Sequence, residues 1–211
     1  MLQVIQKIIA LVIVLMPFFS PVFLEFTFFN VTPGNFKTVW GIFGVSVVTI
    51  LWMYSQLKLS SIVIKKTKLY TPILAFIIWS FVSILWIEEG YLAIITLAKF
   101  VSYAVIFFIV INSFESFKSA EFILKLLVIS MTLVSIIGLS QYYFYDNYFF
   151  QYIFSTNHPL GSTFGNRNMA THFIVMVFPV SIVYLLFSKS NKKITFYSLT
   201  IFISICFIVF T

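Results

Sequence analysis

Polar residues are scarce in this sequence, and the stretch HPLGSTFGNRNMATHF, residues 158–173, gathers several of them in one place. It contains Arg167, the single arginine of the chain, and both histidines, His158 and His172. Arginine presents a planar fork of N–H donors that suits phosphate oxygens. Asn168 lies directly before an apolar run and is expected to cap a helix, whose first turn offers backbone N–H groups. His172 follows on the same helix face. The pattern therefore predicts an anion site at a helix entrance.

The same residue types are also typical of an ordinary loop and helix cap. Gly161 and Gly165 permit tight turns and close backbone approach. Arg167 can extend to lipid headgroups, and a lone histidine such as His172 is commonly hydrogen-bonded inside a helix bundle. His158 precedes a proline, which is equally consistent with a solvated loop. From the residues alone, the anion site and the ordinary loop are two open interpretations.

The composition assigns the chain to the membrane proteins. Hydrophobic residues make up 61% of the sequence and the mean hydropathy is +1.07, whereas soluble domains have about 45–50% apolar residues. Apolar runs of bilayer-spanning length recur, and helices satisfy their own backbone hydrogen bonds in lipid. We therefore predict an all-α, polytopic transmembrane helical bundle that forms one domain over residues 1–211. The predicted spans, seven in number, are about 4–24, 38–57, 70–87, 91–111, 121–141, 169–187 and 194–211.

The distribution of lysines predicts the orientation of these spans. Three alternate loops carry eight lysines, whereas the loops between them carry only Lys37 and Arg167. Lysine-rich loops stay in the cytoplasm, so the amino terminus is expected there and residues 158–168 outside. The eight are Lys58, Lys65, Lys66, Lys68, Lys118, Lys189, Lys192 and Lys193.

Because the basic residues are scattered between apolar runs, the net charge of +7 does not indicate a nucleic-acid partner. The preference for lysine over arginine is typical of an AT-rich genome, and we expect a bacterial inner membrane.

A few further residues carry expectations of their own. Lys99 lies about 12 Å into the fourth span, where an ionisable side chain is costly and commonly functional. It either reaches a ligand in a cavity that opens outward or extends to the interface or a neighbouring helix. Glu88 and Glu89 are expected in a solvated outward turn. Gly41 and Gly44 are expected to permit close helix packing.

A family resemblance is carried by GSTFGNRNMATHFIVMVFPVSIVYLL, residues 161–186. It resembles the Gly-x-x-Phe-Gly-Asn-x-Asn stretch of the O-antigen ligase and O-antigen polymerase family, which is followed by a helix with a proline. The matching residues are Gly161, Phe164, Gly165, Asn166 and Asn168. Many members have proline where this chain has Arg167, and members often have arginine where it has His158.

The resemblance implies a function and a set of binding residues. Members are metal-independent membrane glycosyltransferases of the GT-C type. They ligate or polymerise glycans carried on undecaprenyl pyrophosphate, as in lipopolysaccharide and other surface polysaccharides. The implied partners are a lipid-linked oligosaccharide or polysaccharide and membrane lipids, with no cofactor. The residues expected to hold the lipid pyrophosphate are Arg167, Asn166, Asn168, Gly161, Gly165, His158, His172 and Lys99.

Members also carry essential arginine and histidine residues in a large extracytoplasmic loop later in the chain. Here the last apolar run reaches Thr211 without a polar flank. We therefore expect an amino-terminal portion of such an enzyme, inactive on its own, and no catalytic residue is assigned.

Two other classes of protein fit the same sequence. One is a transporter or flippase for a lipid-linked or amphiphilic solute, although such paths commonly need several intramembrane ionisable groups and repeat symmetry. The other is a non-catalytic membrane scaffold. A scaffold should tolerate substitution of Arg167 and Lys99, whereas a protein that uses them to hold a ligand should not.

Overall fold

The computed structural model describes residues 2–15, 33–58, 64–114, 117–144, 160–164 and 166–211. All regular structure in these ranges is helical, which confirms the all-α prediction for them. The α-helices are α1 (Leu2–Leu15), α2 (Pro33–Leu57), α3 (Tyr70–Ser83), α4 (Gly90–Ser113), α5 (Phe117–Tyr143), α6 (Arg167–Leu186) and α7 (Asn191–Phe210). Two short 3-10 turns lie at Ile84–Trp86 and Ser162–Phe164.

Five of these helices are long and apolar enough to cross a membrane. They contain the segments Trp40–Leu57, Gly90–Ser113, Ser119–Tyr143, Arg167–Leu186 and Asn191–Phe210. The first and third predicted spans correspond to shorter apolar helical segments, Val4–Leu15 and Tyr70–Trp86. The chain thus has the helices of a multi-pass membrane protein, and the full count of seven spans stays a prediction.

The chain forms two compact units, and the first comprises Met1–Ile13 and Gly34–Ala120. Its apolar core joins α1, α2 and α4 through Ile5, Ile9, Val48 and Ile109. The indole of Trp52 on α2 meets the ring of Phe108 edge-on, at 5.3 Å between centroids.

Asn112, near the end of α4, gathers several segments at one end of this first unit. Its Nδ2 donates to the hydroxyl of Tyr70 at the start of α3 (3.0 Å), and its Oδ1 accepts from the backbone N–H of Lys65 (2.8 Å). Beside it, Gln6 of α1 donates to the carbonyl of Ser113 (2.7 Å). The start of α1, the start of α3 and the end of α4 therefore meet at the lysine-bearing end.

The second unit comprises Val14–Pro33 and Glu121–Thr211, and its described part is built from α5, α6 and α7. Hydroxyl groups join α5 to α7. The hydroxyls of Thr132 and Thr200 lie 3.1 Å apart, and those of Ser135 and Ser204 lie 3.4 Å apart. These pairs advance in the same direction along both helices, so α5 and α7 run parallel. Small and hydroxyl-bearing residues are the usual means of close packing between membrane helices.

Different aromatic contacts hold the two ends of the second unit. At one end, Tyr184 of α6 stacks on Tyr197 of α7 (5.3 Å) and donates to the backbone carbonyl of Glu121 (3.3 Å). The turn between α6 and α7, with its lysines, belongs to this end. At the other end, Tyr142 of α5 packs on Phe210 of α7 (5.3 Å). The entrance to α6 therefore lies opposite the lysine-bearing turn.

Gly138 on α5 gives a test of this packing. A Cβ built at Gly138 would overlap the ring of Phe207, which is fully buried, whereas at Gly41 it would meet no described atom within 4 Å. The expectation of close packing therefore fails for Gly41. We expect Gly138→Ala to destabilise the protein by about 1–3 kcal/mol through overpacking, as measured by unfolding in detergent. Gly41→Ala is the control for the change in helix propensity. Equal stability of the two variants would contradict the packing.

Orientation can be tested with single cysteines. Cys206 is free, so Cys206→Ser gives an unlabelled background. The positive-inside rule predicts that Glu88→Cys reacts with a membrane-impermeant maleimide in intact cells, and that Ser190→Cys reacts only after permeabilisation. Both native residues are exposed. The opposite pattern of labelling would reverse the predicted orientation.

Candidate functional site

The candidate site begins with an unusual turn in the chain that leads into α6. Leu160 and Ser162 have positive φ angles of 71° and 48°. Residues with a Cβ adopt this left-handed region rarely and at a cost, so the surrounding structure must stabilise it. Both residues are buried, at 3% and 0% exposure, although they belong to a connection between helices.

Gln141, in the last turn of α5, holds this turn in place. The backbone N–H of Ser162 donates to Gln141 Oε1 (2.6 Å), and Gln141 Nε2 donates back to the carbonyl of Ser162 (3.3 Å). The hydroxyl of Ser162 donates to the carbonyl of Val134, also on α5 (2.7 Å). Because Gln141 is itself 2% exposed, water does not compete for these bonds. We call these three contacts the Gln141 clamp.

Asn166 is the cap of α6, which corrects the prediction that Asn168 has this role. Asn166 is extended (φ −138°, ψ 122°), and its side-chain oxygen accepts from the N–H groups of Asn168 (2.9 Å) and Met169 (3.4 Å). The helix begins at Arg167, before the apolar run, so the capping position falls two residues earlier than the hydropathy indicates. An N-cap residue bonds the second and third N–H groups of its helix, and those belong to Asn168 and Met169.

This cap changes which donors a ligand could use. The N–H groups of Asn168 and Met169 bind Asn166 Oδ1, and the N–H of Ala170 binds the Asn166 carbonyl (3.1 Å). Of the first backbone donors, only that of Arg167 has no described partner. An anion at this entrance would therefore be held mainly by side chains rather than by the backbone donors expected from the sequence.

Three of the predicted binding residues present exposed side chains at the start of α6. Arg167 and Asn168 lie in its first turn, and His172 follows one turn beyond Asn168 on the same face. Within the described ranges, Arg167 forms no ion pair or side-chain hydrogen bond. On the inner side, the rings of Phe164 and Phe173 pack at 5.6 Å and attach the turn to the helix. The first two turns of α6 thus carry an exposed cation, an exposed amide and an exposed imidazole, and we call these three residues the α6 entrance.

The other predicted residues are placed as follows. Gly161 is buried in the clamped turn. His158 and Gly165 lie outside the described residues. Lys99 is half-buried in α4 of the first unit and has no hydrogen bond or ion pair with a described residue. Its participation in the same site as Arg167 stays a prediction.

Gln141 and Thr163 were not among the residues predicted to belong to the site. A glutamine near the end of an apolar span was the available signal, because polar side chains in such spans are costly unless they are paired. Thr163 is 5% exposed, and its hydroxyl has no described partner.

No group of three histidine, cysteine or acidic residues that could hold a metal ion lies in the part of the chain that the structure describes.

The Gln141 clamp predicts a large effect of one substitution. Gln141→Leu keeps the side-chain volume but leaves the Ser162 N–H buried without its partner, which we expect to destabilise the protein by about 1–3 kcal/mol. Hydrogen exchange should accelerate at residues 160–164. Gln56→Leu is the matched control, since Gln56 is also buried in a helix but has no described hydrogen bond. The clamp would be contradicted if both variants exchanged like the wild type.

Comparison with protein-family models, curated proteins and solved structures finds no match to this chain. The resemblance to the O-antigen ligase and polymerase family therefore rests on the pattern in residues 161–186. Of its five matching residues, Gly161, Phe164, Asn166 and Asn168 lie within the described ranges.

Proposed function

We propose that this chain is a bacterial inner-membrane protein that binds the pyrophosphate of an undecaprenyl-linked glycan at the α6 entrance. Its activity would be the ligation or polymerisation of that glycan for a surface polysaccharide. The observation that carries the proposal is the exposed group of Arg167, Asn168 and His172, which stands on a turn fixed by the Gln141 clamp. The substrate class comes from the family resemblance of residues 161–186, in which Asn168 matches the family pattern and Arg167 stands where many members have proline.

The charge of this entrance fits a phosphate ligand. Arg167 is a cation that offers five N–H donors in a planar fork. No described acidic side chain neutralises it. Asn168 and His172 add further hydrogen-bonding groups on one side of α6. A rigid turn limits the entropy lost when these groups are ordered around a ligand.

The surface that continues from the entrance fits the lipid part of the same ligand. The exposed face of α6 changes from polar to apolar along the helix. After His172, toward the carboxyl end of α6, this face continues with apolar side chains that are all exposed: Val175, Met176, Pro179 and Val183. Methionine is flexible and adapts to irregular apolar partners. A polyprenyl chain could therefore lie along α6 while its pyrophosphate meets Arg167.

The proposed reaction requires a positive charge beside the pyrophosphate at the α6 entrance. When a glycan is transferred from its carrier, the bond between the sugar and the pyrophosphate breaks, and the carrier leaves with its negative charge. A fixed cation that contacts this group stabilises the charge that develops. Arg167 would serve this purpose, and no residue is assigned as the base that takes the proton of the acceptor hydroxyl.

Binding of undecaprenyl pyrophosphate to the detergent-solubilised chain tests the proposal. Native mass spectrometry gives the dissociation constant. Removing a charge-assisted hydrogen bond costs about 1.5–3 kcal/mol, so we expect Arg167→Gln to weaken binding by roughly tenfold or more. Lys189→Gln removes an equally exposed cation beyond the opposite end of α6 and should leave binding unchanged.

Two results would favour the other classes of protein. Equal binding by the Arg167→Gln variant and the wild type would contradict the α6 entrance as a pyrophosphate site and would favour a scaffold. The chain reconstituted in vesicles could instead move the lipid from one leaflet to the other. If Arg167→Gln slows that movement, the chain would be a flippase that uses the same site.

A further inference from the structure

The segment between α2 and α3 is held by side chains rather than by secondary structure. Residues 64–67 are extended and lead into a turn before α3. The N–H of Lys65 donates to Asn112 Oδ1 (2.8 Å), and the hydroxyl of Tyr70 accepts from Asn112 Nδ2 (3.0 Å). Asn112 is 6% exposed and also donates to the Phe108 carbonyl (2.7 Å), so its own orientation is fixed. The segment is therefore attached at both ends to one buried amide.

Side chains of this segment alternate between the protein and the surroundings. Lys65 and Thr67 are half-buried, whereas Ile64, Lys66 and Lys68 are exposed. In an extended chain, residues two apart lie on the same side at a separation of about 7 Å. Leu69 follows and is 52% exposed, as is Ile64. Lys68 and Leu69 belong to the following turn and are also exposed. Along the chain, two exposed cations thus lie between two exposed apolar side chains, and we call these four residues the 64–69 edge.

Among the described residues, another charge at this end of the first unit has the same sign. Gln6 bonds to the carbonyl of Ser113, next to Asn112, and its neighbour Lys7 is exposed. The described acidic residues of this unit are Glu88 and Glu89, which lie in the turn at the far ends of α3 and α4. Among the described residues, therefore, no carboxylate lies beside Lys66 or Lys68 to neutralise it.

We infer that the 64–69 edge binds the headgroup of an anionic phospholipid. Lys66 and Lys68 would contact the phosphate, and Ile64 and Leu69 would enter the acyl boundary on either side. Apolar neighbours beside the cations favour a lipid over a nucleic acid or a soluble acidic protein. Basic residues directly beside a membrane helix attract anionic lipids. The inference is independent of the α6 entrance, which belongs to the second unit.

The test compares two short-chain lipids on the full chain in neutral detergent. Dioctanoyl phosphatidylglycerol should bind more tightly than dioctanoyl phosphatidylcholine, as measured by native mass spectrometry. In Lys66→Gln/Lys68→Gln the affinity for phosphatidylglycerol should fall by roughly fivefold for each lysine, and the affinity for phosphatidylcholine should not change. In detergent there is no membrane side, so an effect of these lysines on orientation does not enter the result.

Lys192→Gln/Lys193→Gln is the matched control. It removes the same charge from two exposed lysines in the first turn of α7, where no buried amide holds the backbone, and should lower the affinity for phosphatidylglycerol less than Lys66→Gln/Lys68→Gln does. Asn112→Leu should weaken binding although every lysine remains, because the segment is released. Equal binding of the two lipids by the wild type, or an equal loss in the control pair, would overturn the inference. Neither result bears on the binding of undecaprenyl pyrophosphate at Arg167.

Discussion

A polar group inside a lipid bilayer must find its hydrogen-bond partner within the protein, because no water is present to replace it. Most hydroxyls on these helices meet this requirement locally. Thr132 and Ser135, for example, each donate to the carbonyl four residues earlier (both 2.9 Å). The amides of Asn112 and Gln141 have more donors and acceptors than one such bond can satisfy, and Asn112 makes bonds elsewhere in addition to the one to the Phe108 carbonyl, four residues earlier. Each sits near the end of a helix and bonds to the connection that passes beside it. The same requirement that forces the chain into helices thus also fixes two of the segments between them.

The α6 entrance depends on this arrangement. A turn with two left-handed residues would not persist on its own, and the contacts to α5 stabilise it. Because Asn166 and the helix itself use the backbone donors of the first turn, the positive character of the entrance rests chiefly on the Arg167 side chain. Such a site would select for charge and for the planar donor pattern of a guanidinium. A lysine at this position would supply the charge without the pattern.

Hydropathy and charge were sufficient to predict the helices and the grouping of lysines at one end of each unit. Both follow from the chemistry of single residues in lipid or at its surface, and they need no knowledge of neighbours. The cap was misplaced by two residues because α6 begins with the polar residues Arg167 and Asn168, which hydropathy assigns to the loop. Gln141 and Gly138 could not be distinguished from other polar or small residues, since their importance comes from the residue opposite them. Ser162 and Phe207 are distant in sequence, and spacing along one helix does not reveal which face meets a partner.

The parallel pairing of α5 and α7 has a mechanical consequence. Thr132 with Thr200, Ser135 with Ser204, and Gly138 with Phe207 form successive rungs at helical spacing. A slide of α7 by one turn would move the Phe207 ring away from the space at Gly138 and against Ser135 or Gln141, both of which are buried. The two helices therefore resist sliding past each other along their axes.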